Sequence, residues 1–234
     1  MNKKFLAFSF CMLFIFSGFS QTEKVQYLPD FDKKLYHFGF YLGLNKNDFK
    51  VDLQPSTILN PDIRVQPTTG FNVGLIADLR LHKNINLRFE PGLISNSKTI
   101  TFNHLTGARD SVREIGSTYL HLPLIFKFST NRYNNMRPYL LAGISYDYNF
   151  SSNQKNADDN FSGEFRMKTS NFMYELGIGV DFYLYFFKFS PSIRGVFALN
   201  NEIVRDNASN GPSPWTSPVN FLGTRGIFIN FAFE

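Results

Sequence analysis

The chain predicts an all-β fold, an eight-stranded antiparallel up-and-down transmembrane β-barrel with short periplasmic turns and longer extracellular loops. Three observations carry this. Apolar residues alternate with small, polar or charged ones in eight separate stretches. A period of two is the mark of a strand. The stretches are joined alternately by short and long links, which is how outer-membrane barrels are built. An export signal precedes them all.

That signal occupies residues 1–20. Lys3 and Lys4 precede an apolar run, Phe5–Phe16, and Gly18, Phe19 and Ser20 form a small-residue cleavage site before Gln21. The run is shorter than the ~20 residues a spanning helix needs. Residues 21–36 then read as a periplasmic lead-in and 37–234 as the barrel. The one cysteine, Cys11, lies inside the signal, and Gln21 stands where a lipoprotein would carry cysteine. The mature chain therefore has no disulfide, thiol nucleophile or thiolate metal site. Loss of Lys3 and Lys4 takes the formal charge from +5 to +3, and no Lys/Arg cluster forms a nucleic-acid stripe. Aromatic residues make up 17%, with 28 Phe, which suits a wall touching lipid and headgroups.

The strands follow in order. Near His37–Asn45, Phe38, Phe40, Leu42 and Leu44 face out while Gly39, Tyr41 and Gly43 face in. Gly70–His82 puts out Phe71, Val73, Leu75, Ala77, Leu79 and Leu81. Ile85–Ser95 puts out Ile85, Leu87, Phe89 and Leu93, and Ser117–Ser129 puts out Leu120, Leu122, Leu124, Phe126 and Phe128. Arg137–Phe150 presents Leu140, Ala142, Ile144, Tyr146 and Tyr148. Ser170–Leu184 presents Phe172, Tyr174, Leu176, Ile178, Val180, Phe182 and Leu184. Phe187–Asn200 presents Phe187, Phe189, Ile193 and Phe197, and Phe221–Glu234 presents Ile227, Ile229, Phe231 and Phe233. Each stretch supplies the ~9–11 residues that cross a bilayer at a tilt. Short links fall at Lys83–Asn84, Thr130–Met136 and Tyr185–Phe186, and long ones at Lys46–Thr69, Asn96–Gly116, Ser151–Thr169 and Asn201–Asn220. The long links are rich in Asn, Ser, Asp and Pro, the residues of surface loops. This parity puts both termini in the periplasm.

The inward face would hold Asp78, Arg80, Arg88, Glu90, Lys127, Asp147, Glu175, Asp181, Lys188, Arg194 and Glu234. On a lipid face each Arg or Lys would cost ~2–4 kcal/mol at the midplane, whereas in a narrow lumen they pair. A soluble eight-stranded barrel inverts the faces and solvates the same set. The inner glycine pairs (Gly39/Gly43, Gly177/Gly179), the strand length and the aromatic load favour the membrane form. On this reading Leu176→Arg is expected to damage assembly far more than Lys127→Gln.

Eight strands leave an interior that side chains fill, and aqueous channels appear at ~16–18, so a general porin is disfavoured. Among the four histidines, His82 sits at a turn, His37 at a strand start, and His121 points inward between Tyr119 and Pro123 as a hydrogen-bonded lumen residue. His104, with Asp110 nearby, is the one loop pair with hydrolase chemistry, but no Ser elbow or third partner accompanies it. No spacing suits a metal or a phosphate loop. No catalytic, cofactor-binding or metal residue, no cofactor and no small-molecule substrate is therefore expected. Asn207–Pro218, with Pro212, Pro214, Pro218 and Trp215, reads as a Pro-stiffened loop or an exposed arm for a partner or the interface.

Leu28–Val51 (LPDFDKKLYHFGFYLGLNKNDFKV), with Asp30, Phe31, Asp32, Lys33 and Lys34 leading into the first strand, resembles the PorT family of Bacteroidota outer-membrane barrels. Phe71–Pro91, Ser117–Phe128, Arg137–Gly143, Tyr174–Leu184 and Phe187–Asn201 are also similar, though YLHLPLIFKF and RPYLLAG belong to outer-membrane barrels more widely. The sequence departs in closing on Phe233–Glu234, where such barrels end on an aromatic residue. Either the assembly signal tolerates one extra residue or the final face is shifted by one. The resemblance implies a non-enzymatic accessory of the type IX secretion system. Its partners would be outer-membrane lipid and other secretion components, supporting cargo export and, in gliding species, adhesin delivery. The alternatives are an outer-membrane enzyme or lipid-binding barrel acting through its loops, or a narrow pore.

Overall fold

The computed structural model describes residues 25–54, 61–207 and 212–234. The signal peptide expected at 1–20 lies outside them. Ten strand segments are present: β1 (Tyr36–Leu53), β2 (Ile63–Pro67), β3 (Thr69–His82), β4 (Ile85–Phe89), β5 (Gly92–Phe102), β6 (Val112–Ser129), β7 (Met136–Asn149), β8 (Ser170–Tyr183), β9 (Lys188–Ala198) and β10 (Val219–Phe233). They make eight staves. β2 continues into β3 across Thr68, and β4 into β5 across Glu90 and Pro91. Pro91 has no N–H to give the ladder, but its carbonyl still accepts from Leu75 N at 2.9 Å.

Every stave is antiparallel to its neighbours, and β1 closes the ring by pairing with both β3 and β10. Leu42, for example, lies between Val73 and Phe231. Over Tyr36–Lys46, where β1 pairs with β3 on one side and, from Phe40, with β10 on the other, closure leaves no free edge at the seam, the condition for a sheet to sit in lipid. The apolar sets point outward as the alternation requires: Phe38, Leu75, Leu140, Ile144, Leu176, Ile178 and Ile227 are all exposed. Inner glycines make room for inner rings. Tyr41 lies against Gly74 on the adjacent stave and its paired Gly92 on the stave beyond, and a β-carbon on either would run into it.

Two expected loops are largely strand. β1 runs on to Leu53 and β6 starts at Val112, so each spans 18 residues, well beyond the ~9–11 that cross a bilayer. β2 and the far half of β5 complete this extension. The alternation persists there but its chemistry reverses. Ser95, Ser97, Thr99 and Thr101 point out from β5, while Ile94, Ile100 and Phe102 are buried inside. A search for apolar outward faces stops where lipid stops, and so reads this water-facing extension as loop. The described residues of the other long links stay mostly irregular, with a 3-10 turn at Asn160–Ser162 and a bridge from Met167 to Ile203. A short helix, α1 (Ala108–Ser111), precedes β6.

Candidate functional site

The interior is the most heavily organised part of the molecule. Inward parity on β3, β4 and β6–β10 brings the charged set together as an alternating chain. Lys188 Nζ meets Glu234 Oε2 at 2.9 Å, and Arg88 Nη2 meets Glu234 Oε1 at 3.2 Å. Arg88 Nε reaches Glu90 Oε1 at 3.0 Å and Asp78 Oδ2 at 3.5 Å. Arg194 joins Glu90 at 2.5 Å to Glu175 at 3.7 Å. His121 then bridges Glu175 (3.0 Å from Nε2) and Asp147 (2.6 Å from Nδ1). Beside the chain, Lys127 Nζ donates to both Asp181 oxygens at 2.7 and 2.8 Å, and Ser190 Oγ donates to Asp181 at 2.6 Å. Charges removed from water must be paired this way or cost several kcal/mol each.

One alternative is settled here and two expectations change. Glu234 points into the lumen while Phe233 stacks on Phe40 outside at 5.2 Å, so the final face is not shifted. The residue that looked irregular anchors two cations. Lys127 is not a tolerant lumen position: it and Asp181 are 3% and 2% exposed, and removing one strands the other. The expected large gap between Leu176→Arg and Lys127→Gln therefore closes. Arg80 stands apart from the inner chain, donating instead to the Asp32 carbonyl at 2.6 Å.

Toward the long-loop end an amide ladder fills the bore. Asn45 donates to Asn72 at 2.6 Å, Asn72 to Asn230 at 2.7 Å, and Asn96 to Asn45 at 3.0 Å. Above it Phe49, Ile100, Phe102, Ile115, Phe165, Met167, Ile203, Trp215, Val219 and Leu222 form an apolar cap. Trp215 is thus no exposed arm. It is buried against Phe161, its Nε1 donates to the Asp110 carbonyl at 2.8 Å, and the Arg113 guanidinium lies over its ring. Of the Pro-rich stretch, 208–211 lie outside the described residues, and 212–218 fold inward because Asp206 collects Ser213, Thr216 (3.0 Å) and Asn160 (2.9 Å). Glu202, in the loop before β10, accepts from Thr224 N at 2.7 Å and Thr224 Oγ1 at 2.9 Å. Burial pushes its carboxyl above the usual glutamate range, against the Lys98 charge and the Thr224 bonds.

At the short-turn end the lead-in is a strap across the mouth. Leu28 turns the chain at a φ of 51°, and a 3-10 turn follows at Phe31–Lys33. Phe31 stacks on His37 at 4.4 Å, and Lys188 Nζ lies 4.7 Å from the Phe31 ring. Asp32 accepts from Tyr183 Oη at 2.6 Å and pairs with Arg137 at 3.2 Å. Arg132 donates to the carbonyls of Tyr27 and Leu28, and Asn135 to that of Val25. The bore is thus filled along its length and strapped at one mouth, capped at the other. Composition marked the lead-in as a charged segment, but only tertiary contacts reveal it as a closure.

The histidines divide as their environments dictate. His121 is held by two carboxylates, with side-chain exposures of 3%, 4% and 1%, so a substrate has no approach. His104 Nε2 bonds the Pro214 carbonyl at 3.1 Å, and Asp110 is exposed, with no ion pair between the two among the described residues. His37 Nε2 bonds the Phe31 carbonyl at 2.7 Å. Among the described residues no group of three or more His, Cys, Asp or Glu is placed to hold a metal ion.

A closed ring of eight staves, apolar outside and ionic within, defines a small transmembrane β-barrel. The chain belongs to the outer membrane protein beta-barrel domain family, whose profile matches residues 19–204. It is a bacterial outer-membrane β-barrel protein. Among solved structures it is similar to Neisserial surface protein A (9% identity, 85% of this chain, 98% of that one, TM-score 0.47). OprG of Pseudomonas aeruginosa is similar at 13% identity (84% and 92% covered, TM-score 0.42). Ail, the attachment invasion locus protein of Yersinia pestis, is similar at 12% (84% and 96%, TM-score 0.37). No curated protein matches the chain in sequence.

Proposed function

We propose that this barrel is a non-enzymatic, PorT-type component of the type IX secretion system of Bacteroidota. It supports cargo export, and adhesin delivery in gliding species, by docking or assembling the translocation machinery. The short-turn end, the strap and both termini lie in the periplasm. The observation that carries the reading is the filled bore. Paired charges, the amide ladder, the apolar cap and the strap leave the outer wall and the two ends as the working surfaces. The likeness of Leu28–Val51 to PorT proteins adds the particular machine, and this segment is the strap with the first stave. A clean deletion strain tests it: cargo export is lost while outer-membrane permeability to small solutes is unchanged. Normal export in that strain overturns the reading.

A further inference from the structure

A cleft of about 320 Å³ opens at the short-turn end between the strap and the turns following β3 and β6. Five of its lining side chains are cations: Lys33, Arg80, Lys83, Arg132 and Arg137. Asp32 is the single carboxylate among the lining residues, and it is already bound to Tyr183 and Arg137. Lys33 is paired with Asp30 at 2.7 Å. Arg132 spends its donors on carbonyls and on Asn135, and its guanidinium lies 3.7 Å from the centroid of the Tyr183 ring. Arg80 gives one donor to the Asp32 carbonyl. Lys83 is exposed at the turn tip. Arg80, Lys83 and Arg132 thus face a concave space with no carboxylate in ion-pair range among the described residues, the reverse of the lumen, where each cation of the ionic chain meets an acid.

We propose that this cleft is a binding site for an acidic peptide segment of a partner protein, taken up through Asp or Glu carboxylates. Guanidinium groups bind carboxylates through paired donors; Arg80 keeps donors for this and Lys83 adds an ammonium, while Arg132, its donors spent on carbonyls and Asn135, adds charge to the field in the concavity. Asn84 and Asn131 add amide donors at the edge. Position selects the source of the anion. Arg80 and Arg137 project to the inner side of the ring, and the strap that forms one wall crosses the mouth. The opening therefore meets the aqueous compartment rather than the lipid wall. The inference goes beyond the secretion reading and does not depend on it.

The test uses the whole protein in nanodiscs of zwitterionic lipid and a fluorescent six-residue peptide of alternating Asp and Glu, acetylated and amidated. Anisotropy is expected to show saturable binding that weakens as salt rises. The Arg80→Gln/Lys83→Glu variant, with heat-modifiability on gels confirming its barrel, is expected to bind roughly tenfold or more weakly. No saturable binding, equal binding of the Asn/Gln version of the peptide, or wild-type affinity in the variant overturns the proposal. Full displacement by millimolar inorganic phosphate, or by anionic lipid in the disc, assigns the cleft to phosphate and equally overturns the peptide.

Discussion

Replacing Lys127 and Asp181 singly and together tests whether the lumen is held by paired charge. Lys127 makes two bonds to Asp181, at 2.7 and 2.8 Å, and its ammonium sits 4.1 Å from the Tyr139 ring centroid. Both side chains are almost wholly removed from solvent. Breaking a buried pair from one side costs about 3–5 kcal/mol because the other charge is left uncompensated. Lys127→Gln falls at the low end, about 3 kcal/mol, since the new amide still donates once and Ser190 keeps its 2.6 Å bond to Asp181. Asp181→Asn leaves the ammonium a neutral amide oxygen and the Tyr139 face but no paired carboxylate, and costs a similar ~3 kcal/mol. The double variant replaces the ion pair with two amides that bond each other, and costs no more than either single change. The cycle therefore carries a coupling on the order of 3 kcal/mol. The assay is reversible urea unfolding in lipid vesicles followed by circular dichroism, because the sole tryptophan, Trp215, sits in the cap and reports on that end. Single changes costing under 1 kcal/mol, or a double cost equal to their sum, would refute the argument.

Three further outcomes follow from the same geometry. Leu176→Arg puts a charge on the exposed outer wall and is expected to cost about 2–4 kcal/mol at the midplane, lowering the folded fraction on gels to an extent comparable with Lys127→Gln. Gly92→Val drives a side chain into the Tyr41 ring and should lose about 1–3 kcal/mol, measured by the same unfolding assay. Burial raises the folded-state carboxyl of Glu202 above its usual 4.5, so the folded protein holds that proton more tightly than the unfolded chain. The stability this group contributes is full below 4.5 and falls as pH rises through the raised value. Glu202→Gln should flatten that fall in Trp215 fluorescence melts, and an unchanged pH profile would count against it.

Legibility followed solvent. Wherever lipid faces the wall, one side of each strand must be apolar throughout, so Phe38, Leu75, Leu176 and Ile227 could be placed from the period of two alone. Inward charges such as Arg88 and Glu175 were legible for the same reason, by exclusion from lipid. Their partners were not, because pairing across the bore joins residues far apart in sequence, as Arg88 with Glu234. Above the lipid the outer face turns to Ser and Thr and the inner face to Ile100, Phe102 and Trp215, so the pattern that marked strands vanished while the strands continued. The strap was hidden too. Its hold rests on backbone carbonyls meeting Arg80 and Arg132, a use of arginine that leaves no periodic trace.

The filled bore is tested most directly by planar-bilayer recording of the purified full-length protein. Eight staves packed with paired side chains predict a flat current at moderate voltage, with no discrete steps above the bare membrane. Stable, reproducible conductance steps would contradict the closed lumen, and with it the assignment of function to the ends and outer wall.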